Sequence, residues 1–122
     1  MTVTGPDFIA LQVRDLDRAA EFYQTRLGLR RASVSPPHAV VFETTPASLA
    51  VREPLPGVDL DTTPHPGTGV ALWLAADGVQ ELHDSLAAAG VEITGAPFDG
   101  PFGRTFTFND LDGYAITIHD LV

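Results

Sequence analysis

The 122-residue sequence contains no cysteine, so it has neither a disulfide framework nor thiolate chemistry. It also lacks any apolar run approaching the roughly 20 residues that a membrane-spanning helix needs. Its first residues show neither the basic nor the apolar region of a secretory signal peptide. These absences predict a cytoplasmic protein with no membrane partner.

Lysine is absent too, and the net charge of −9 is unevenly distributed. Residues 1–52 hold six arginines against five acids, whereas residues 53–122 hold only Arg104 against eleven acids. An acidic surface repels phosphate backbones, so we expect no nucleic-acid partner. It favours a cationic ligand only weakly, because an acidic balance commonly serves solubility alone.

What the sequence does contain is a pattern that occurs twice. In its first occurrence, residues 8–14 are rich in β-forming side chains, and Asp15 is placed to cap a helix. Apolar residues then recur at three- and four-residue steps until Gly28, which predicts an amphipathic helix on Leu16, Ala19, Ala20, Tyr23 and Leu27. Short strands are predicted next, at about 29–34, 39–44 and 48–52.

The pattern restarts after residues 53–67, a segment rich in proline and glycine that we interpret as a linker. Residues 70–74 predict a strand, Asp77 is a capping candidate, and a second apolar stripe ends at Gly90. Residues 95–103 are rich in glycine and proline, which predicts a loop. Residues 109–113 predict a hairpin turn. The remaining strands are predicted near 91–94, 104–108 and 114–119.

This repeat predicts an α+β fold of two βαβββ modules within one domain, residues 1–122. The modules span about residues 5–52 and 68–120. Each curved sheet would have one face covered by a helix and one bare face. Two such bare faces can close around a shared cavity suited to a small molecule.

Two segments carry a resemblance to a known family. Val13–Tyr23 with Leu27–Leu29, and Gly103–Gly113, resemble the opening and closing segments of the vicinal oxygen chelate superfamily. That superfamily includes glyoxalase I, extradiol dioxygenases, metal-dependent epimerases and thiol transferases, and bleomycin-resistance-type binding proteins. Leu111 departs from the proline usual in the closing turn. The resemblance covers nearly the whole chain and implies a homodimer.

The enzymes of this superfamily hold a divalent metal with four side chains, usually His, Gln or Glu. The resemblance implies that the corresponding positions here are Phe8, Ala50, Gly69 and Thr117. The first three side chains carry no donor atom, and a threonine hydroxyl is a poor ligand for Zn²⁺, Ni²⁺ or Fe²⁺. Since a catalytic metal normally needs at least three protein ligands, we expect no metal, no cofactor and no catalytic residue.

Strand alternation then predicts which side chains line the cavity. We expect an aromatic cavity with small residues and a few polar groups, which suits a large, flat or amphipathic ligand. Alternatively, Phe8 and Trp73 fill a collapsed cavity, and Phe98 and Phe102 pack onto their own loop instead of forming a mobile rim. The predicted ligand-binding residues are Phe8, Ala10, Gln12, Arg52, Gly69, Ala71, Trp73, Phe98, Phe102, Thr117 and His119.

The sequence therefore predicts a metal-free protein that sequesters a toxic natural product, such as a bleomycin-like or aromatic, enediyne-type antibiotic, and so confers self-resistance. Two alternatives stay open. One is a lyase, isomerase or dioxygenase of the same fold with a displaced or unusual site. The other is an interaction or regulatory module that uses the dimer surface.

Overall fold

The structure is a computed structural model that describes residues 1–120. Its backbone contacts divide the chain into two compact units. The first unit comprises Met1–Leu60, and the second begins at Asp61. In residues 1–120 the structure contains no helix with the length and apolar character to cross a membrane.

The first unit contains one helix and a three-stranded sheet. Its elements are β1 (Phe8–Gln12), α1 (Leu16–Thr25), β2 (Ala39–Phe42) and β3 (Ser48–Arg52). The strand order is β1-β3-β2, with β1 parallel and β2 antiparallel to the central β3. Helix α1 packs on β2 and β3. Its apolar stripe is buried there against the sheet, through Ala19, Ala20, Phe22 and Tyr23.

The second unit repeats this arrangement with a four-stranded sheet. Its elements are β4 (Leu72–Ala75), α2 (Val79–Ala88), β5 (Ile93–Gly100), β6 (Gly103–Asn109) and β7 (Ala115–His119). The strand order is β4-β7-β6-β5, with β4 parallel to β7 and the other neighbours antiparallel. Helix α2 covers β5 and β6. The core of this unit is made of Val79, Leu86, Phe106, Phe108, Ile116 and Ile118.

The predicted α+β fold of two repeated modules is confirmed, but the strand expected at 29–34 is reduced to one bridge, between Arg31 and Phe42. Two hydrogen bonds hold this bridge, from Ala32 N to Val41 O and from Glu43 N to Arg30 O. Pairing goes no further because the Ser35 hydroxyl accepts a hydrogen bond from Val41 N at 2.9 Å. The first sheet therefore has three strands instead of four.

The prediction of a loop over residues 95–103 is wrong. Residues 93–100 form β5, which continues through a two-residue turn at 101–102 into β6. Strand pairing uses backbone groups, so glycines weaken a strand without forbidding it. Pro97, which has no N–H to donate, lies at a register shift between Gly95 and Phe98. A bulge of this kind tolerates proline inside a strand.

The closing hairpin turn is confirmed. The buried Asp110 carboxylate accepts hydrogen bonds from Asp112 N at 3.0 Å and from Tyr114 N at 2.9 Å. Leu111, the departure from the family pattern, is exposed and takes no part in these hydrogen bonds. The turn therefore depends on the aspartate and not on the proline that is usual in the family.

The two predicted helix caps have different outcomes. The Asp15 carboxylate accepts a hydrogen bond from Arg18 N at 3.1 Å and caps α1 as expected. The Asp77 prediction is wrong: the N-cap of α2 is Gly78, with a φ of 59°, and no side chain caps this helix. Because Gly78 adopts a left-handed conformation, the chain enters α2 without placing Asp77 over its first turn.

This difference predicts unequal effects of two matched substitutions. Asp15→Ala removes a hydrogen bond to the first turn of α1 and should lower the free energy of unfolding by about 1 kcal/mol. Asp77→Ala removes an equal charge without removing a cap, so the change should stay within about 0.5 kcal/mol. Urea unfolding at neutral pH measures both. Equal losses in the two variants would contradict this assignment of the caps.

Candidate functional site

The open face of the first sheet carries four of the predicted ligand contacts. The β1–β3 register pairs Ala10 with Ala50 and Gln12 with Arg52, so these side chains and Phe8 share one face. Phe8 is 52% exposed. Two polar groups are tied to the segment that follows β3: Gln12 Oε1 accepts from Leu55 N at 2.7 Å, and Arg52 Nε donates to Glu53 O at 2.9 Å.

The pairing of β7 with β4 and with β6 determines which side chains lie on the open face of the second sheet. Strand β4 pairs Trp73 with Thr117 and Ala75 with His119. Strand β6 pairs Thr107 with Thr117 and Thr105 with His119. Because alternate residues point to one face, the aromatic, threonine and histidine side chains come together opposite α2. The apolar residues between them, such as Ile116 and Ile118, are buried on the helix side.

Three rings on this unit form a cluster, which we call the aromatic cluster: Trp73, Phe102 and His119. The Trp73 ring lies 5.4 Å from Phe102 and 5.5 Å from His119, measured between ring centroids, and both contacts are edge-to-face. Phe102 and His119 are 6.4 Å apart. Trp73 is 43% exposed and Phe102 is 54% exposed. The cluster therefore offers aromatic surface to a ligand while its members hold one another in place.

His119 brings a polar atom into this cluster. In residues 1–120, Nδ1 of His119 is the one buried side-chain nitrogen or oxygen that lacks a hydrogen-bond partner. Leaving such an atom unpaired typically costs about 1–3 kcal/mol. Buried groups of this kind in native proteins usually have a partner, so an unpaired one needs an explanation.

The family's metal does not fit the residues found here. Phe8 and Ala50 have no donor atoms, and Thr117 Oγ1 is 2.9 Å from Thr107 Oγ1, with which it shares a hydrogen bond. Gly69 lies in a turn before β4. In the described part of the chain, no group of three or more His, Asp or Glu residues is placed to hold a metal ion. A divalent metal would find no ligand set at these positions.

Several charged side chains of the second unit have hydrogen-bond partners on the helix side of the sheet. Arg104 donates to Gln80 Oε1, at 2.8 Å from Nη2, and lies 3.2 Å from the Asp99 carboxylate. On α2, hydrogen bonds with His83 and with Gln80 lower the pKa of the Asp84 carboxyl. Asp84 is exposed on the helix, whereas the aromatic cluster lies on the other face of the sheet. Neither the Arg104–Asp99 pair nor Asp84 therefore provides acid–base chemistry beside the aromatic cluster.

Two predicted contacts lie outside the second sheet, and a third reaches its open face from a strand instead of a loop. The strand expected from Val70 begins at Leu72, so Gly69, with a φ of 94°, and Ala71 precede it. Val70, which also precedes the strand, is exposed. Phe98 lies on β5 and packs beside Gly100, where an added Cβ would come within 2.7 Å of its ring. Phe98 pairs with Thr105, which in turn pairs with His119, so Phe98 lies on the same open face as part of a strand and not of a loop rim.

Two residues of this face were not predicted from the sequence. Thr107 shares the hydrogen bond with Thr117, and Thr105 is buried beside His119 in the β6–β7 register. The alternation of Thr105, Phe106, Thr107 and Phe108 contained the signal. A period of two with phenylalanine on one side and threonine on the other predicts a strand with a polar open face.

The fold and motifs agree with those of known proteins. Residues 5–118 match the family model described as the Glyoxalase/Bleomycin resistance protein/Dioxygenase superfamily. The chain belongs to this superfamily.

Solved structures of similar fold include proteins linked to antibiotics. TnmS3, an antibiotic binding protein from Streptomyces sp. CB03234, is 25% identical, with a TM-score of 0.74 over 100% of this chain and 99% of that one. A glyoxalase/bleomycin resistance protein from the same strain is 25% identical, with a TM-score of 0.73 over 95% and 100%. The fosfomycin resistance protein FosX from Listeria monocytogenes, complexed with Mn(II) and sulfate, is 20% identical, with a TM-score of 0.71 over 99% and 93%. The likeness to FosX concerns the fold alone.

The absence of donors at the family's metal positions predicts the behaviour of the purified protein. Elemental analysis should find no stoichiometric transition metal. Addition of EDTA, followed by Mn²⁺ or Zn²⁺ at equimolar concentration, should leave the thermal midpoint unchanged, because binding to the folded state alone would raise it. One tightly held metal ion per chain, or a midpoint that rises with added metal, would contradict the interpretation of these positions.

Proposed function

We propose that this protein binds a small natural product of the antibiotic type and sequesters it without a metal and without chemical change. The aromatic cluster is the observation that carries the proposal. Trp73 and Phe102 keep about half of their surface exposed on one sheet face. Soluble proteins rarely leave large aromatic side chains together in the open unless they serve binding.

The chemistry of the face favours binding over catalysis. Aromatic rings bind flat apolar surface through burial, at about 25 cal/mol per Å², and through stacking. The threonine hydroxyls are neutral, and Thr107 and Thr117 already share a hydrogen bond. Among residues 1–120, no carboxylate or histidine on this face is hydrogen-bonded to a serine or threonine hydroxyl that could act as a nucleophile. The similarity to TnmS3, an antibiotic binding protein, supports the same ligand class.

Calorimetric titration with a panel of planar and glycosylated antibiotics, including bleomycin and doxorubicin, tests the proposal. Fosfomycin, a small anionic compound without an aromatic ring, serves as the negative control. Intrinsic fluorescence gives a second readout, because Trp73 is the only tryptophan. Mass spectrometry of the recovered antibiotic should show an unchanged compound. A chemically altered antibiotic would establish an enzyme, and a panel without any binding compound would contradict sequestration.

The cluster predicts a large effect of Trp73→Ala on ligand affinity. Loss of stacking and of buried surface should weaken binding of a panel compound by about 2–4 kcal/mol, a value typical of binding hot spots. The effect on folding should be smaller than the roughly 3–5 kcal/mol of a fully buried tryptophan, because Trp73 is 43% exposed.

A matched control is Leu111→Ala. Leu111 is half exposed but lies in the turn before β7, whereas His119 lies at the end of that strand. This substitution should leave affinity unchanged. Thermal unfolding of both variants separates folding from binding. A Trp73→Ala protein that is destabilised yet binds with normal affinity would show that Trp73 serves packing alone.

A further inference from the structure

His119 gives the aromatic cluster a preference for one class of ligand. This inference rests on the proposed function. We infer that Nδ1 of His119 is a hydrogen-bonding site for the ligand. The ligand class it selects is a flat aromatic ring that carries a neutral hydroxyl group. The ring would lie against Trp73, and the hydroxyl would reach the imidazole.

The first argument is the unpaired state of Nδ1. This atom is buried, and no group in residues 1–120 bonds to it. The strand neighbours of His119 do not supply a partner: Ala75 has no polar side-chain atom, and the Thr105 hydroxyl donates to Gly103 O at 3.0 Å. A ligand hydroxyl would therefore pair an atom that the described part of the chain leaves without a hydrogen bond.

A hydroxyl suits this site whichever ring nitrogen carries the proton. Depending on the tautomer, Nδ1 either donates or accepts a hydrogen bond. A hydroxyl group can do both, whereas a carbonyl oxygen can only accept and an ether can only accept. The chemical group that always satisfies Nδ1 is thus a hydroxyl.

The charges of the second unit argue against an anionic ligand. From residue 61 onward the sequence contains nine acids and one arginine, a net charge of −8 with neutral histidines. That arginine, Arg104, is already bound to Gln80 and Asp99, and its backbone N–H donates to the Asp120 carboxylate at 2.9 Å. A carboxylate or sulfonate on the ligand would meet negative charge without a free cation to pair with.

Phe102 provides the route by which a ligand reaches the buried atom. The rings that lie against His119 are those of Trp73 and Phe102. Trp73 stands on β4, whereas Phe102 stands in the two-residue turn between β5 and β6 and is 54% exposed. Rotation of an exposed side chain in a turn takes nanoseconds or less. The ligand ring would thus replace Phe102 against His119 and Trp73.

Three probes of equal ring size test the inference: 2-naphthol, naphthalene and 2-naphthoate at neutral pH. The hydrogen bond should make 2-naphthol bind about two- to tenfold more tightly than naphthalene, the range that a net hydrogen bond provides. The anionic 2-naphthoate should bind more weakly than 2-naphthol. In a protein labelled with ¹⁵N, the Nδ1 resonance of His119 should shift on addition of 2-naphthol and not of naphthalene.

Three variants separate a hydrogen bond from general packing. His119→Asn keeps an amide near the position of Nδ1 and should retain the preference for 2-naphthol. His119→Phe keeps a ring without a polar atom and should bind 2-naphthol and naphthalene equally. Phe102→Ala should retain the preference, because the hydrogen bond belongs to His119. Thermal midpoints identify any variant that fails to fold, and the Nδ1 resonance of the unmodified protein then decides.

The possible outcomes distinguish this inference from the proposed function. Equal affinity for 2-naphthol and naphthalene in the unmodified protein, with no shift of Nδ1, would overturn the inference. So would a protein that binds an antibiotic of the panel but none of the three probes, and in that case sequestration would stand. Failure to bind both the panel and the probes would overturn the two together.

Discussion

The parallel pairing of β4 with β7 is the constraint on which the candidate site depends. It places Trp73 opposite Thr117 and Ala75 opposite His119. A shift of this register by one residue would move Trp73 to the helix side and bring Leu72 or Leu74 to the open face. The burial of Ile116 and Ile118 in the core favours this register, because a shift would expose them. Core packing on one face thus determines which side chains the other face presents.

Much of this arrangement could be predicted from the sequence because it follows from short-range patterns. The alternation of apolar residues predicted the strands, and the glycines after each helix marked where the helices end. Gly28 and Gly90, with φ values of 73° and 83°, adopt the conformation expected at those positions. The shared face of Trp73, Thr117 and His119 followed from the same period of two. The family assignment came from two motifs that lie at the two ends of the chain.

The errors arose where long-range pairing outweighed local preference. Residues 95–100 have the composition of a loop but form a strand, because β6 offers a complete edge and a bulge accommodates Pro97. Residues 29–34 have strand-forming residues but form one bridge, because the Ser35 hydroxyl accepts the hydrogen bond from Val41 N. The unpaired Nδ1 of His119 depends on the positions of neighbouring side chains, which periodicity does not contain.

Under the proposed function, the open face of β7 would bind a ligand where metal-dependent members of the superfamily coordinate a metal. The resemblance to the superfamily implies that Thr117 is at a metal-ligand position, but its hydroxyl shares a hydrogen bond with Thr107 Oγ1 within the sheet. Two residues further on, His119 faces the same side, and its Nδ1 has no hydrogen-bond partner within residues 1–120. A single imidazole cannot hold a metal, yet it can orient a hydroxyl on a ring that Trp73 supports. The polar role of the strand would thereby shift by two residues, from metal coordination at Thr117 to ligand recognition at His119.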